Sequence, residues 1–86
     1  MRILPQDFDG FIRALPELYG LTETESRVAF WLAEGKTNWE IGVIVGCAAR
    51  TAEKHVERIL DKMQVENRTA AAVALAVMVR ATASQP

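Results

Sequence analysis

Four basic side chains recur at intervals of four residues: Arg50, Lys54, Arg58 and Lys62. On an α-helix each such step overshoots a full turn by about 40°, so the four form a slowly drifting ridge. Cationic groups held in a row neutralise phosphates, and a helix carrying them can enter a major groove with its first turns against base edges. Thr51 and His55 lie beside the ridge, where either can donate to a phosphate or read a base edge. The same spacing has a plainer reading. Arg50 with Glu53, Lys54 with Glu57 and Arg58 with Asp61 are i, i+3 pairs that can simply support a solvated helix.

The surrounding elements weigh between these readings. Thr22 followed by Glu25 is a capping box, in which each side chain satisfies the other's backbone amide. It starts a helix whose apolar side is Val28, Ala29, Trp31, Leu32 and Ala33, and Gly35 suits the left-handed residue that ends it. Thr37 and Glu40 form a second capping box. The spacing predicts a short helix from Asn38 to about Val45, with Ile41, Ile44 and Val45 inward, Gly42 small where a neighbour approaches, and Gly46 at its end. After a turn at Cys47 and Ala48, a longer helix runs from about Ala49 to Met63. Its core side is Ala49, Ala52, Val56, Ile59, Leu60 and Met63. Short helix, three-residue turn and long helix make a helix-turn-helix arrangement. Asn67 can cap a last helix, from about Arg68 to Ala81, that is apolar on nearly every side.

Residues 1–20 read as a lead-in or a short extra helix, and residues 21–83 as the domain proper. Phe8, Phe11, Ile12 and Leu15 share one helix face, Asp7 can cap that helix, and Pro16 predicts its stop near Leu15. The fold class expected is all-α: four helices with this possible fifth.

Composition narrows the function classes. The formal net charge is −1, so any attraction to nucleic acid must come from local placement of charge. Residues 21–83 carry eight basic and eight acidic side chains, which predicts weak DNA binding by a single copy. The lone Cys47 cannot form an internal disulfide, and it reads as a small apolar residue of the turn. The longest apolar run, Ala70 to Val79, is too short for a span of about 20 residues, and the first residues lack a signal peptide's apolar segment. A cytoplasmic chain with no membrane partner is expected. No nucleophile–base pair, paired-acid site, metal-ligand cluster or phosphate loop appears, so neither an enzyme nor a cofactor is expected. His55 has no second ligand at suitable spacing. Trp31 reads as core, whereas Trp39 can face either DNA or a neighbouring element.

Four segments together resemble the LuxR-type DNA-binding domain of quorum-sensing receptors and response regulators: Leu21-Thr22-Glu23-Thr24-Glu25, Leu32 through Gly42, Arg50 through Val56, and Val65-Glu66-Asn67-Arg68-Thr69-Ala70-Ala71. The resemblance runs over residues 21 to about 80 with the motifs in order. It implies a four-helix domain that binds double-stranded DNA specifically and controls transcription. The helix at 49–63 would lie in the major groove. By resemblance, Thr51, Lys54, His55 and Arg58 occupy positions that touch DNA, and Lys36, Thr37 and Asn38 occupy backbone-contacting positions. It also implies a homodimer through the last helix, for which Ala72, Leu75, Ala76 and Val79 are the expected contacts. RNA polymerase is a further partner to consider. Three positions depart from the pattern. Ala48 stands where a serine cap is usual, Glu53 and Glu57 where some members carry DNA-contacting lysines, and Thr24 where a basic residue is common. The acidic residues and near-neutral charge keep one alternative open, a helix-turn-helix module that binds protein.

Overall fold

Threonine side chains open two of the helices. The computed structural model describes residues 5–83, and side chains from 9 to 81. The described chain forms α1 (Pro5–Tyr19), α2 (Glu23–Ala33), α3 (Asn38–Val45), α4 (Ala49–Met63) and α5 (Arg68–Ala83), with no strand. The Thr22 hydroxyl accepts the Glu25 amide at 3.1 Å, and the Glu25 carboxylate accepts the Thr22 amide at 2.9 Å. Thr37 and Glu40 repeat the exchange at 3.1 and 2.8 Å. Asn67 accepts the Ala70 amide at 2.8 Å, as expected. Ala48 starts α4 with no side-chain cap.

Gly46 closes α3 at φ 82°, a left-handed conformation that glycine adopts without steric cost. At the end of α4 the same task falls to Gln64, at φ 57°. A residue with a Cβ pays about 1 kcal/mol or more there.

One core joins all five helices. Phe11 and Leu15 of α1, Val28, Ala29 and Leu32 of α2, Ile41 of α3, Ala52 and Ile59 of α4, and Ala71 and Leu75 of α5 are buried in it. The Phe11 ring meets Phe30 edge-on, with centroids 5.7 Å apart. Each large apolar side chain so buried contributes about 1.5–3 kcal/mol. Through Phe11 and Leu15, α1 therefore shares the core of the helices that follow.

Four expectations are corrected. First, α1 does not stop near Leu15 but runs through Pro16 to Tyr19. Proline removes one amide, yet the extra turn brings Tyr19 against the core and lets the Gly20 amide donate to the Pro16 carbonyl at 2.9 Å. Second, Asp7 lies inside α1, because the helix begins at Pro5, whose missing N–H costs nothing in a first turn. The Phe8 side chain falls outside the described ones. Third, Ile44 is exposed while Ile41 and Val45 turn inward, and Phe30 joins the α2 face. Fourth, Leu75 and Val79 are buried within the chain's own core, so neither is free to meet a second copy. In their place Val73 and Val77 are exposed, at 61% and 59%, with Ala72 and Ala76 half-buried beside them. An all-apolar helix offers no polar side to mark which face turns outward.

Candidate nucleic-acid interface

The turn between α3 and α4 is tight because two glycines allow it. A Cβ on Gly42 would lie 2.5 Å from the Cys47 carbonyl oxygen, closer than real Cβ contacts come. Its carbonyl accepts the amides of Gly46 and Cys47 at 2.9 and 2.8 Å. Cys47 is partly buried against the core. This junction fixes where α4 leaves α3, while Ala52, Val56, Ile59 and Met63 hold its inner face.

The outer face of α4 then stands in solvent. Arg50, Thr51, Glu53, Lys54, Glu57, Arg58 and Asp61 are all exposed. The i, i+3 pairings that a merely solvated helix would make do not form: among the described residues no carboxylate lies within 4 Å of Arg50, Lys54 or Arg58. The three cations keep their full donor capacity. Asn38, Ala49, Arg50, Glu53, Lys54 and Glu57 line an open groove of about 460 Å³ between the start of α3 and α4. His55 is half-buried, and its Nδ1 is buried without a hydrogen-bond partner.

Lys62, the fourth member of the ridge, has another task. Its Nζ donates to Glu25 Oε1 at 2.6 Å and to the Gly20 carbonyl at 3.2 Å. Burial pushes the Glu25 carboxyl up, but Lys62 and the Thr22 amide outweigh it, and the group titrates below its ordinary 4.5. The pair pins the far end of α4 to the start of α2. Unlike Arg50, Lys54 and Arg58 on the α4 face, Lys62 is therefore not free of a partner.

The other expected residues converge near the start of α3. Thr37 is its cap, and its hydroxyl accepts an amide while keeping its own proton to donate. The Thr37 backbone N–H holds the Glu40 carboxyl below its ordinary 4.5. Arg68, the first residue of α5, donates Nη1 to Asn38 Oδ1 and Nη2 to the Lys36 carbonyl at 2.6 Å. It clamps the 36–38 segment from the helix behind. Sequence reasoning missed this clamp, although a signal existed. A cation in a helix's first turn opposes the helix dipole, so it needs a partner elsewhere. Trp39 also resolves here: it is 69% exposed, and Val43 and Ile44 continue an apolar face along α3.

Among the described residues no group of three His, Cys, Asp or Glu side chains can hold a metal ion, and no helix is long and apolar enough to cross a membrane.

Comparison with known proteins agrees with this architecture. The model of the luxR family of bacterial regulatory proteins matches residues 19–75, which runs from α2 through the first half of α5 and leaves all but the last residue of α1 outside. The chain is 46% identical over 57 residues to the transcriptional activator protein BjaR1 of Bradyrhizobium diazoefficiens, covering 66% of this chain and 23% of that one. It is 43% identical over 60 residues to the transcriptional regulatory protein LiaR of Bacillus subtilis, covering 70% and 28%. It is 43% identical over 51 residues to the quorum sensing-dependent transcriptional regulator RpaR of Rhodopseudomonas palustris, covering 59% and 21%. The matched segment thus spans less than a third of each relative. No solved structure matches the chain. Between the family match, the two capping boxes and the Gly42–Gly46 turn, the assignment closes: this chain belongs to the luxR family of bacterial regulatory proteins, with a helix-turn-helix built from α3 and α4.

Proposed function

We propose that this chain binds double-stranded DNA sequence-specifically as a homodimer, with α4 in the major groove, and so regulates transcription from the cytoplasm. The observation that carries this reading is the outer face of α4. Arg50, Lys54 and Arg58 are exposed and unpaired on a helix whose exit angle is fixed at both ends. In this reading the first turns of α4 bring Arg50, Thr51 and Lys54 to base edges, and His55 and Arg58 lie against the flanking backbone. Lys36, Thr37 and Asn38 meet phosphate at the start of α3, where Arg68 holds them in place.

Dimerisation belongs to the same proposal. The outer face of α4 brings only three unpaired cations, on a chain of net charge −1, so one copy has modest affinity and a second copy doubles the contacts. The face of α5 that supports pairing is Val73 and Val77, flanked by Ala72 and Ala76. An open groove of about 330 Å³ continues it, lined by Leu32, Ala33 and Arg68 among others.

A second reading, a protein-binding module, is favoured by the exposed Trp39, Val43 and Ile44. This face of α3 is open to a protein partner, RNA polymerase included, whether or not α4 holds DNA. Titration of labelled genomic duplexes across a salt series separates the two readings. DNA binding through several phosphates gives a log–log slope of about −0.9 per contact. Absence of binding at low salt leaves only the protein-binding module.

A further inference from the structure

Two carboxylates share the face that the proposed function assigns to DNA, and a role as mere helix support does not account for them. Glu53 and Glu57 are exposed, and neither pairs with a cation within 4 Å. They line the same open groove as Asn38, Arg50 and Lys54. On the helix projection Glu53 lies about 60° to one side of Arg50, and Glu57 lies the same angle from Lys54. A duplex seated against those cations would meet the carboxylates too.

Almost everything a major groove offers repels a carboxylate. Phosphate oxygens, guanine O6 and N7, and thymine O4 are acceptors, as is an ionised glutamate. Only the amino groups of cytosine and adenine donate, and adenine sets its N7 acceptor beside the donor. Adenine N6 lies between its own N7 and thymine O4, whereas cytosine N4 has one flanking acceptor, guanine O6. Its partner guanine presents O6 and N7 to an arginine or lysine. A glutamate and a cation about 60° apart on one helix therefore suit the two halves of a single G·C pair.

Resting on the DNA-binding reading, we infer that Glu53 and Glu57 are specificity-determining residues that accept hydrogen bonds from cytosine amino groups. Arg50 and Lys54 take the guanines. Four residues of helix rise about 6 Å, against about 3.4 Å per base step, so the two cytosines lie about two steps apart. The charge arrangement points the same way. Glu53, Glu57 and Asp61 offset Arg50, Lys54 and Arg58 one for one on the exposed face of α4. That face has little net attraction for phosphate, so matched bases carry a larger share of its binding.

The test is enrichment of duplexes from a random pool by the whole chain and by its Glu53→Gln and Glu57→Gln variants. Glutamine keeps the shape, removes the charge and suits adenine N6 and N7. Both positions are exposed, so the variants should fold, which circular dichroism checks. The chain should enrich two C·G pairs about two steps apart. Each variant should lose the cytosine preference at one of them by about tenfold to a hundredfold, and adenine should gain there. Variants that enrich the unchanged motif while binding every duplex more tightly would show that the carboxylates only repel phosphate, and would overturn the inference while leaving DNA binding intact. A chain that enriches no sequence would overturn the inference together with the reading beneath it.

Discussion

Deleting the Lys62 ammonium should cost more than its surface position suggests. Lys62→Met keeps the aliphatic stem and removes only the charge. The Lys62 side chain is 33% exposed, but the Glu25 carboxylate it serves is only 4% exposed. Without Lys62, Glu25 Oε1 keeps one donor, the Thr22 amide. Breaking a fully buried pair in this way costs about 3–5 kcal/mol. Solvent reaches the lysine end, which lowers the expected loss to about 2 kcal/mol. That is a large share of the roughly 4–13 kcal/mol available to a chain of this length. The loss carries a pH signature. Because the folded Glu25 titrates below its ordinary 4.5, its stabilisation is fully present above that value and fades as pH falls through the folded pKa. Urea unfolding of the chain and of Lys62→Met at neutral pH and at about pH 3.5 should therefore show a gap that narrows in acid, with m unchanged. Equal stabilities at neutral pH, or a gap that stays constant down to acid pH, would mean that Lys62 does not stabilise the ionised Glu25 carboxylate.

Three further outcomes follow from the packing. Phe11→Ala should cost about 3–5 kcal/mol in denaturant unfolding, although Phe11 lies outside the segment that matches the family, because α1 shares the core. Ala48→Ser should raise stability by about 1 kcal/mol by supplying the side-chain cap that α4 lacks, and thermal melting measures it. Val77→Asp should leave the circular dichroism spectrum unchanged, since the side chain is 59% exposed. In sedimentation it should shift the chain towards monomer, and a dimer that survives the change would move the interface off α5.

The elements that carry the site were readable wherever their signals are local. The bounds of α3 and α4 follow from a capping box, a glycine end and a hydrophobic arc, all set by residues within a few positions of one another. Arg50, Lys54 and Arg58 were legible for the same reason. What escaped depends on contacts across the chain. Nothing near Lys62 announces that Glu25, 37 residues earlier, will claim its charge. Arg68 reaches Asn38 across 30 residues, and only its unfavourable place at a helix start hinted at a distant partner. Pro16 misled because tertiary packing retained a turn that its local chemistry disfavours. On α5 the difficulty was different: uniform apolarity has no period, so the inward Leu75 and Val79 could not be told from the outward Val73 and Val77.

Lys54→Ala asks whether the exposed face of α4 is the surface that holds DNA. The side chain is exposed and unpaired, so its loss should leave the fold unchanged. Fluorescence anisotropy on an enriched duplex, across a salt series, should show one of two losses. If Lys54 reads a base, affinity falls by about 1–3 kcal/mol and selectivity at that position relaxes. If it holds a phosphate, affinity falls evenly across sequences and the salt slope drops by about one. A folded Lys54→Ala chain that binds the same duplex with the same affinity and the same slope would mean that this face of α4 does not hold DNA.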